Sequence, residues 1–251
     1  MINIPREAIL NFYEAIARYY DRIFPYDPGQ KTFTLEAAAN AGFTGKLRVL
    51  EAGCGSGSLA LALAADGHRV DASDFDRGMV SLAKNKRGES DNPSFRELDM
   101  RRIADSYLHA SYEAVCCFGN TLVHLDGTAG TEEFFTAAKR VLKPGGRLCL
   151  QILHYDRILA AGVDRLPLIE DRDIRFDRFY ERRHDGRLDF RTVLITPGGD
   201  RIENVIPLYP LRRGELETAL RRAGFSGWTH FGGFDRSRFG PDSMALVTEA
   251  W

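Results

Sequence analysis

Apolar positions recur at helical spacing near the start of the chain. Residues 6–20 place Ile9, Phe12, Tyr13, Ile16 and Tyr20 on one face, which predicts an amphipathic helix. Pro25, Pro28 and Gly29 interrupt it, and an alanine-rich helix over 32–42 ends near Gly42. The pattern then becomes strand–helix alternation. Short apolar runs at 47–52, 68–73, 93–98, 112–118 and 147–153 read as five strands. The fourth, YEAVCCF, is apolar enough to be buried on both faces. Helices fill the gaps: 58–66, one capped by Asp76, and one capped by Thr131 with Glu132 and Glu133 in its first turn. From about Asp171 charged and apolar residues alternate, with turns at 184–186 and 197–200, which predicts antiparallel hairpins. A helix over 212–223 and two further strands complete the chain.

Repeated βα units imply a parallel sheet with right-handed crossovers. The fold class is therefore α/β: a Rossmann-like, seven-stranded, mostly parallel sheet with helices on both faces, plus an antiparallel hairpin insertion after the fifth strand. The expected division is an N-terminal helical cap (1–45), a core (46–170), the insertion (171–210) and a C-terminal completion of the core sheet (211–251).

Charge narrows the partners. Lys and Arg number 34 against 35 Asp and Glu, a balance unlike that of a nucleic-acid binder. Residues 171–191 hold seven arginines but also six acids, which reads as a solvated face with cross-strand pairs. No run reaches the roughly 20 apolar residues of a membrane span, and residues 1–6 lack a signal-peptide pattern. The expected location is cytoplasmic. Cys54, Cys116, Cys117 and Cys149 lie in interior-type runs without CxxC spacing, so free buried thiols are expected and no metal site.

The candidate chemistry begins at VLEAGCGSG, residues 49–57. A strand feeds glycines at 53, 55 and 57, and a helix follows, so a ligand can lie against backbone at the strand's carboxyl end. A dinucleotide fingerprint would need glycine where Ser58 stands. The acidic Glu51 just upstream suits a cation better than a pyrophosphate. Asp74 ends the second strand, where a carboxylate can accept from ribose hydroxyls. Phe75 can lie against a purine, and Asp99 can accept from an exocyclic amine. Together these describe a pocket for an adenosine bearing positive charge. A plain tight turn at the glycines and a helix cap at Asp74 are the competing readings.

This pattern resembles the class I S-adenosylmethionine-dependent methyltransferases over residues ~45–155. The resemblance implies S-adenosylmethionine as cofactor, S-adenosylhomocysteine as product, and a seven-stranded sheet whose last strand runs antiparallel. It assigns cofactor binding to Glu51, Gly53, Cys54, Gly55, Gly57, Asp74, Phe75, Met79, Asp99, Met100 and Phe118. The stretches CFGNTLVHL (117–125) and YDRILAAG (155–162) are similar to the glycine/sarcosine N-methyltransferase family. That likeness implies acceptor binding by Asn120, His124, Tyr155 and Tyr209, with Asn120 and His124 as the catalytic pair. The family's carboxylate-gripping arginine corresponds here to Leu153, and His154 replaces its asparagine. A related amine or a larger natural-product acceptor therefore fits as well as glycine. Tyr20 is placed to close over the pocket.

Methyl transfer from a sulfonium is an in-line displacement, in which positioning alone contributes about 7–11 kcal/mol. Asn120 would orient the acceptor, and His124, titrating near working pH, would take a proton. The expected function is methyl transfer to a small-molecule acceptor, most simply an amine nitrogen, by an enzyme that can form homo-oligomers. The alternatives are a small-molecule O-methyltransferase and a non-catalytic S-adenosylmethionine-binding sensor. An NAD-binding reductase is disfavoured by Ser58.

Overall fold

The computed structural model describes residues 12–251. Ile9, and the part of the first predicted helix before Phe12, lie outside the described residues. The helix is present over residues 12–16 (α1). It continues as a 3-10 turn, Ala17–Tyr19, and a short helix α2, Tyr20–Ile23. The next helix, α3, runs Pro28–Asn40, four residues earlier than its alanine pattern indicates. Pro28 occupies the first turn, where its missing N–H costs nothing. The Asp27 side chain accepts from Gly29 N at 2.8 Å.

The alternating section follows as β1 (Arg48–Ala52), α4 (Ser58–Ala65), β2 (Arg69–Asp74), α5 (Arg77–Arg87), β3 (Ser94–Glu97), α6 (Ile103–Ser106), β4 (Tyr112–Cys117), α7 (Gly127–Val141), β5 (Leu142–Leu153) and α8 (Tyr155–Ala160). Asp76 caps α5 by accepting from Met79 N, as its position implies. Thr131 does not cap α7. The helix starts at Gly127, and the buried Thr131 hydroxyl donates back to Gly127 O at 2.9 Å. The fifth strand likewise begins at Leu142 instead of Arg147, because the chain turns extended directly from α7 and pairs Leu142 with Tyr112 before a bulge.

Four antiparallel strands come next: β6 (Ile169–Asp171), β7 (Ile174–Arg182), β8 (Leu188–Ile195) and β9 (Arg201–Leu208). They form a second sheet in the order β6-β7-β8-β9. The chain closes with α9 (Arg213–Arg222), β10 (Trp228–Phe231) and β11 (Ala245–Ala250).

The main sheet has seven strands in the order β10-β11-β5-β4-β1-β2-β3. The pairs among β1 to β5 are parallel, and β11 is antiparallel to both β5 and β10. One apolar cluster packs α7 and α9 against one face and runs on into the inner face of the second sheet. A second cluster packs α3, α4 and α5 against the other face. β4 is buried at every position, as its unbroken apolar run requires.

Outward-facing charges of the second sheet pair across strands. Arg191 bridges Glu181 at 2.9 Å and Glu203 at 3.3 Å on the neighbouring strands, whereas Arg175 pairs with Asp177 along β7 itself at 3.0 Å. All four cysteines are free and buried. Among the described residues no helix is long and apolar enough to cross a membrane.

Candidate active site

In an open parallel sheet, ligands bind outside the carboxyl ends of the strands. The ends of β3, β2, β1 and β4 lie side by side here, and their loops enclose a cavity of about 330 Å³. The loop after β1 is tied to β2: Gly53 N and Cys54 N both donate to Ser73 O, at 2.7 and 3.0 Å. Gly53 has φ +74°, and a Cβ there would stand 2.5 Å from the Thr121 methyl. A Cβ on Gly55 would meet the Tyr20 hydroxyl at 2.9 Å. These glycines let the cavity's walls approach one another.

Asp74 joins the glycine loop directly. Its Oδ2 accepts from Gly55 N at 2.8 Å and its Oδ1 from Asp76 N at 2.9 Å. Burial pushes its carboxyl up to about 6, against the backbone N–H groups that favour the charged form. Glu51 is buried just upstream; its Oε2 has no hydrogen-bond partner. Burial raises it to about 8, with the charge of Asp74 adding to the shift.

Of the positions expected to hold the nucleoside, Gly53, Gly55, Asp74, Phe75, Met79, Asp99 and Met100 line the cavity. Asp99 also caps the 3-10 turn Met100–Arg102 and holds the Arg101 guanidinium, with Nη2 to Oδ2 at 2.5 Å. Glu51, Cys54, Gly57 and Phe118 do not line it. Cys54 and Phe118 sit in the second apolar cluster, where Phe118 packs edge-on against Phe234 at 5.0 Å. Gly57 answers to packing, since a Cβ there would lie 2.6 Å from the Phe95 ring.

The acceptor set divides in the same way. Tyr20 and His124 line the cavity, whereas Asn120, Tyr155 and Tyr209 stand behind it. Asn120, in the left-handed region with φ +65°, braces two strand ends. Its Oδ1 accepts from Leu153 N at 3.0 Å and its Nδ2 donates to the Tyr155 hydroxyl at 2.9 Å. The buried Tyr155 hydroxyl also meets that of Tyr180 at 3.4 Å. Tyr209 donates to Glu215 and packs against Gly127.

His124 Nε2 lies 3.1 Å from the Tyr13 hydroxyl, and its Nδ1 is buried without a partner. Burial lowers its pKa to about 4. It is therefore neutral at physiological pH and a weak base, in contrast to the titration near pH 7 that its side chain alone implies.

Sequence reasoning overlooked Tyr13, Asp76, Arg101, Gly119, Thr121, Leu125 and Asp126, which also line the cavity. A signal existed for Tyr13: it stands seven residues before Tyr20 on the same amphipathic helix face. Helix α2 is fastened from several sides. Asp21 accepts from Ser56 Oγ of the glycine loop at 2.5 Å and pairs with Lys86 at 2.5 Å. Arg22 holds Asp171 at 2.7 Å and Asp173 at 2.6 Å near the edge of the second sheet.

Comparison with known proteins agrees with this geometry. Residues 49–146 match the family described as a methyltransferase domain. Over those residues the chain has the likeness of a methyltransferase domain. Among curated proteins, the chain is 30% identical over 167 residues to YqeM of Bacillus subtilis (strain 168), a protein named as a methyltransferase; the match covers 65% of this chain and 64% of that one. It is 27% identical over 210 residues to a glycine/sarcosine N-methyltransferase of Parasynechococcus marenigrum (strain WH8102), covering 82% of this chain and 72% of the relative. The first of these relatives is thus matched over just under two thirds of its length. Among solved structures, an S-adenosylmethionine-dependent methyltransferase from Clostridium acetobutylicum ATCC 824 superposes with a TM-score of 0.77 at 16% identity, over 96% of this chain and 98% of that one.

Proposed function

We propose that the protein transfers a methyl group from S-adenosylmethionine to a nitrogen of a small molecule, leaving S-adenosylhomocysteine. The observation that carries the reading is the 2.8 Å hydrogen bond from Gly55 N to Asp74 at the wall of the cavity. It brings a glycine cradle and a carboxylate together where a ribose would sit beside it. The residues fit the group. Gly53 and Gly55 give backbone access, Asp74 accepts from the sugar, Phe75, Met79 and Met100 offer apolar contact, and Glu51, with one carboxylate oxygen unpartnered, favours a cation nearby.

When bound, S-adenosylmethionine supplies a methyl carbon activated by a sulfonium. The chain's own part is positioning and exclusion of water. Tyr13, Tyr20, Thr121 and His124 close the β1 and β4 end of the cavity. His124, held neutral, orients through hydrogen bonds better than it deprotonates. This favours a nitrogen acceptor. A neutral amine already presents its lone pair, whereas a hydroxyl needs a base in step with attack. The likeness to glycine/sarcosine N-methyltransferases points the same way.

The test combines two measurements. Calorimetry with S-adenosylhomocysteine is expected to give a one-to-one complex. Single turnover with methyl-labelled cofactor over an amine and alcohol panel is expected to label amines. Absence of nucleoside binding sinks the reading, and labelling of alcohols alone reassigns the acceptor to oxygen.

A further inference from the structure

The register of the second sheet brings three polar side chains into one row. Arg178 on β7 pairs with Thr192 on β8, and Thr192 pairs with Asn204 on β9. Residues directly opposite one another share a face and lie about 5 Å apart. This row stands between two apolar rows on that face: Phe176, Leu194 and Ile202 on one side, Tyr180, Phe190 and Ile206 on the other. Most of these flanking side chains are buried in the main apolar cluster.

Each member of the row keeps a buried polar atom without a hydrogen-bond partner: Arg178 Nε, Thr192 Oγ1 and Asn204 Nδ2. Thr192 is only 1% exposed. Unpartnered buried polar groups are few in native proteins and each is costly, so three side by side point to a ligand.

Arg178 is unlike its neighbours. Outward-facing Arg175, Arg183 and Arg191 each hold an acid. Among the described residues, the Arg178 side chain makes one hydrogen bond, from Nη2 to Pro167 O at 2.7 Å, and no ion pair. Burial pulls its pKa below the ordinary value, with no carboxylate restoring it. A half-buried guanidinium, a hydroxyl and an amide N–H in a row make a seat for oxygen anions.

Chains of side-chain contacts also link the row to the candidate active site. Two residues along β7, on the same face, Tyr180 meets Tyr155, which takes a hydrogen bond from Asn120 between the cavity-lining Gly119 and Thr121. Two residues the other way, Phe176 packs edge-on against Phe24 at 5.8 Å, and Phe24 against the cavity-lining Tyr20 at 5.3 Å.

We propose that Arg178, Thr192 and Asn204 seat an oxyanionic group, a carboxylate or a phosphate, of the methyl acceptor. This rests on the methyl-transfer reading. It makes the acceptor an amine that carries a negative charge at its far end, gripped by the antiparallel sheet while the nitrogen faces the cavity.

The test uses the whole chain, wild type and Arg178→Gln. Acceptors are offered in matched pairs: glycine against methylamine, and O-phosphoethanolamine against ethanolamine. The expected result is at least a tenfold preference for one oxyanionic member. That preference should appear chiefly in KM and collapse in Arg178→Gln and in the double variant Thr192→Val, Asn204→Leu. Which pair shows it tells carboxylate from phosphate. Equal use of both members, or a preference that survives Arg178→Gln, overturns the proposal, as does turnover of no oxyanionic member.

Two controls separate causes. Unchanged S-adenosylhomocysteine affinity in Arg178→Gln keeps the effect at the acceptor, whereas lack of that affinity in the wild type refutes the methyl-transfer reading instead. Arg178→Met is expected to raise the Tm of the ligand-free protein by removing an uncompensated charge. A lower Tm would mean that Arg178 serves only to brace the backbone at Pro167, and would also overturn the assignment.

Discussion

Replacing Glu51 by Gln tests whether its burial exists for a cation. The side chain is 6% exposed, one oxygen lacks a partner, and its carboxyl is raised from 4.5 to about 8. Between those values the folded chain holds a proton that the unfolded chain has released, so folding stability falls as pH rises across the window. At pH 7 the group lies about 2.5 units above its ordinary pKa. At roughly 1.4 kcal/mol per unit it costs the ligand-free fold about 3 kcal/mol. Glu51→Gln keeps the shape and removes that cost. Thermal denaturation without ligand should therefore show a Tm about 6–12 °C higher at pH 7, taking roughly 2–4 °C per kcal/mol at this chain length. The gap should widen towards pH 8 and close near pH 4. In calorimetry the same variant should bind the sulfonium S-adenosylmethionine more weakly, by tenfold or more at pH 8. A variant no more stable than wild type across pH 5–8, with unaltered affinity, would refute both the strained carboxylate and its role.

Other substitutions probe neighbouring joints. Asp74→Asn keeps one acceptor but turns an NH2 towards a backbone N–H and removes the charge, so the dissociation constant for S-adenosylhomocysteine should rise about 10–100-fold; an unchanged constant rules out the ribose contact. Gly57→Ala sets a methyl 2.6 Å from the Phe95 ring at φ +78° and should lower stability by roughly 2 kcal/mol or more, measured against Gly42→Ala. That control has similar strain but open space around it, so equal losses would show that packing is not the reason for Gly57. Asn120→Ala should lower kcat/KM while leaving cofactor affinity within about threefold, because the amide braces β5 and Tyr155 and stands outside the cavity wall; weakened cofactor binding would reject that role.

Much of the fold was legible because βα alternation is a local pattern. So was the glycine loop, since strand, glycines and Asp74 follow in order within 26 residues. Boundaries slipped where context overrode local signals, as when α7 began at Gly127 and left Thr131 inside it. The acceptor side was less legible for a physical reason. Asn120, Tyr155 and Tyr180 form a brace across 60 residues of chain, and no spacing rule distinguishes a side chain that lines a wall from one that supports it. His124 carries an ordinary imidazole in sequence; only the packing around it makes it a weak base. The polar row at Arg178 depends on the pairing of three strands, which alternation by itself leaves open.

Helix α2 carries a mechanical consequence. The same two residues, Asp21 and Arg22, grip the glycine loop, α5 and the edge of the antiparallel sheet. Any displacement of α2 therefore acts on the glycine loop at one end and on Asp171 and Asp173 at the other. Through two adjacent side chains, the loop that lines the cavity and the antiparallel sheet are held as one mechanical unit.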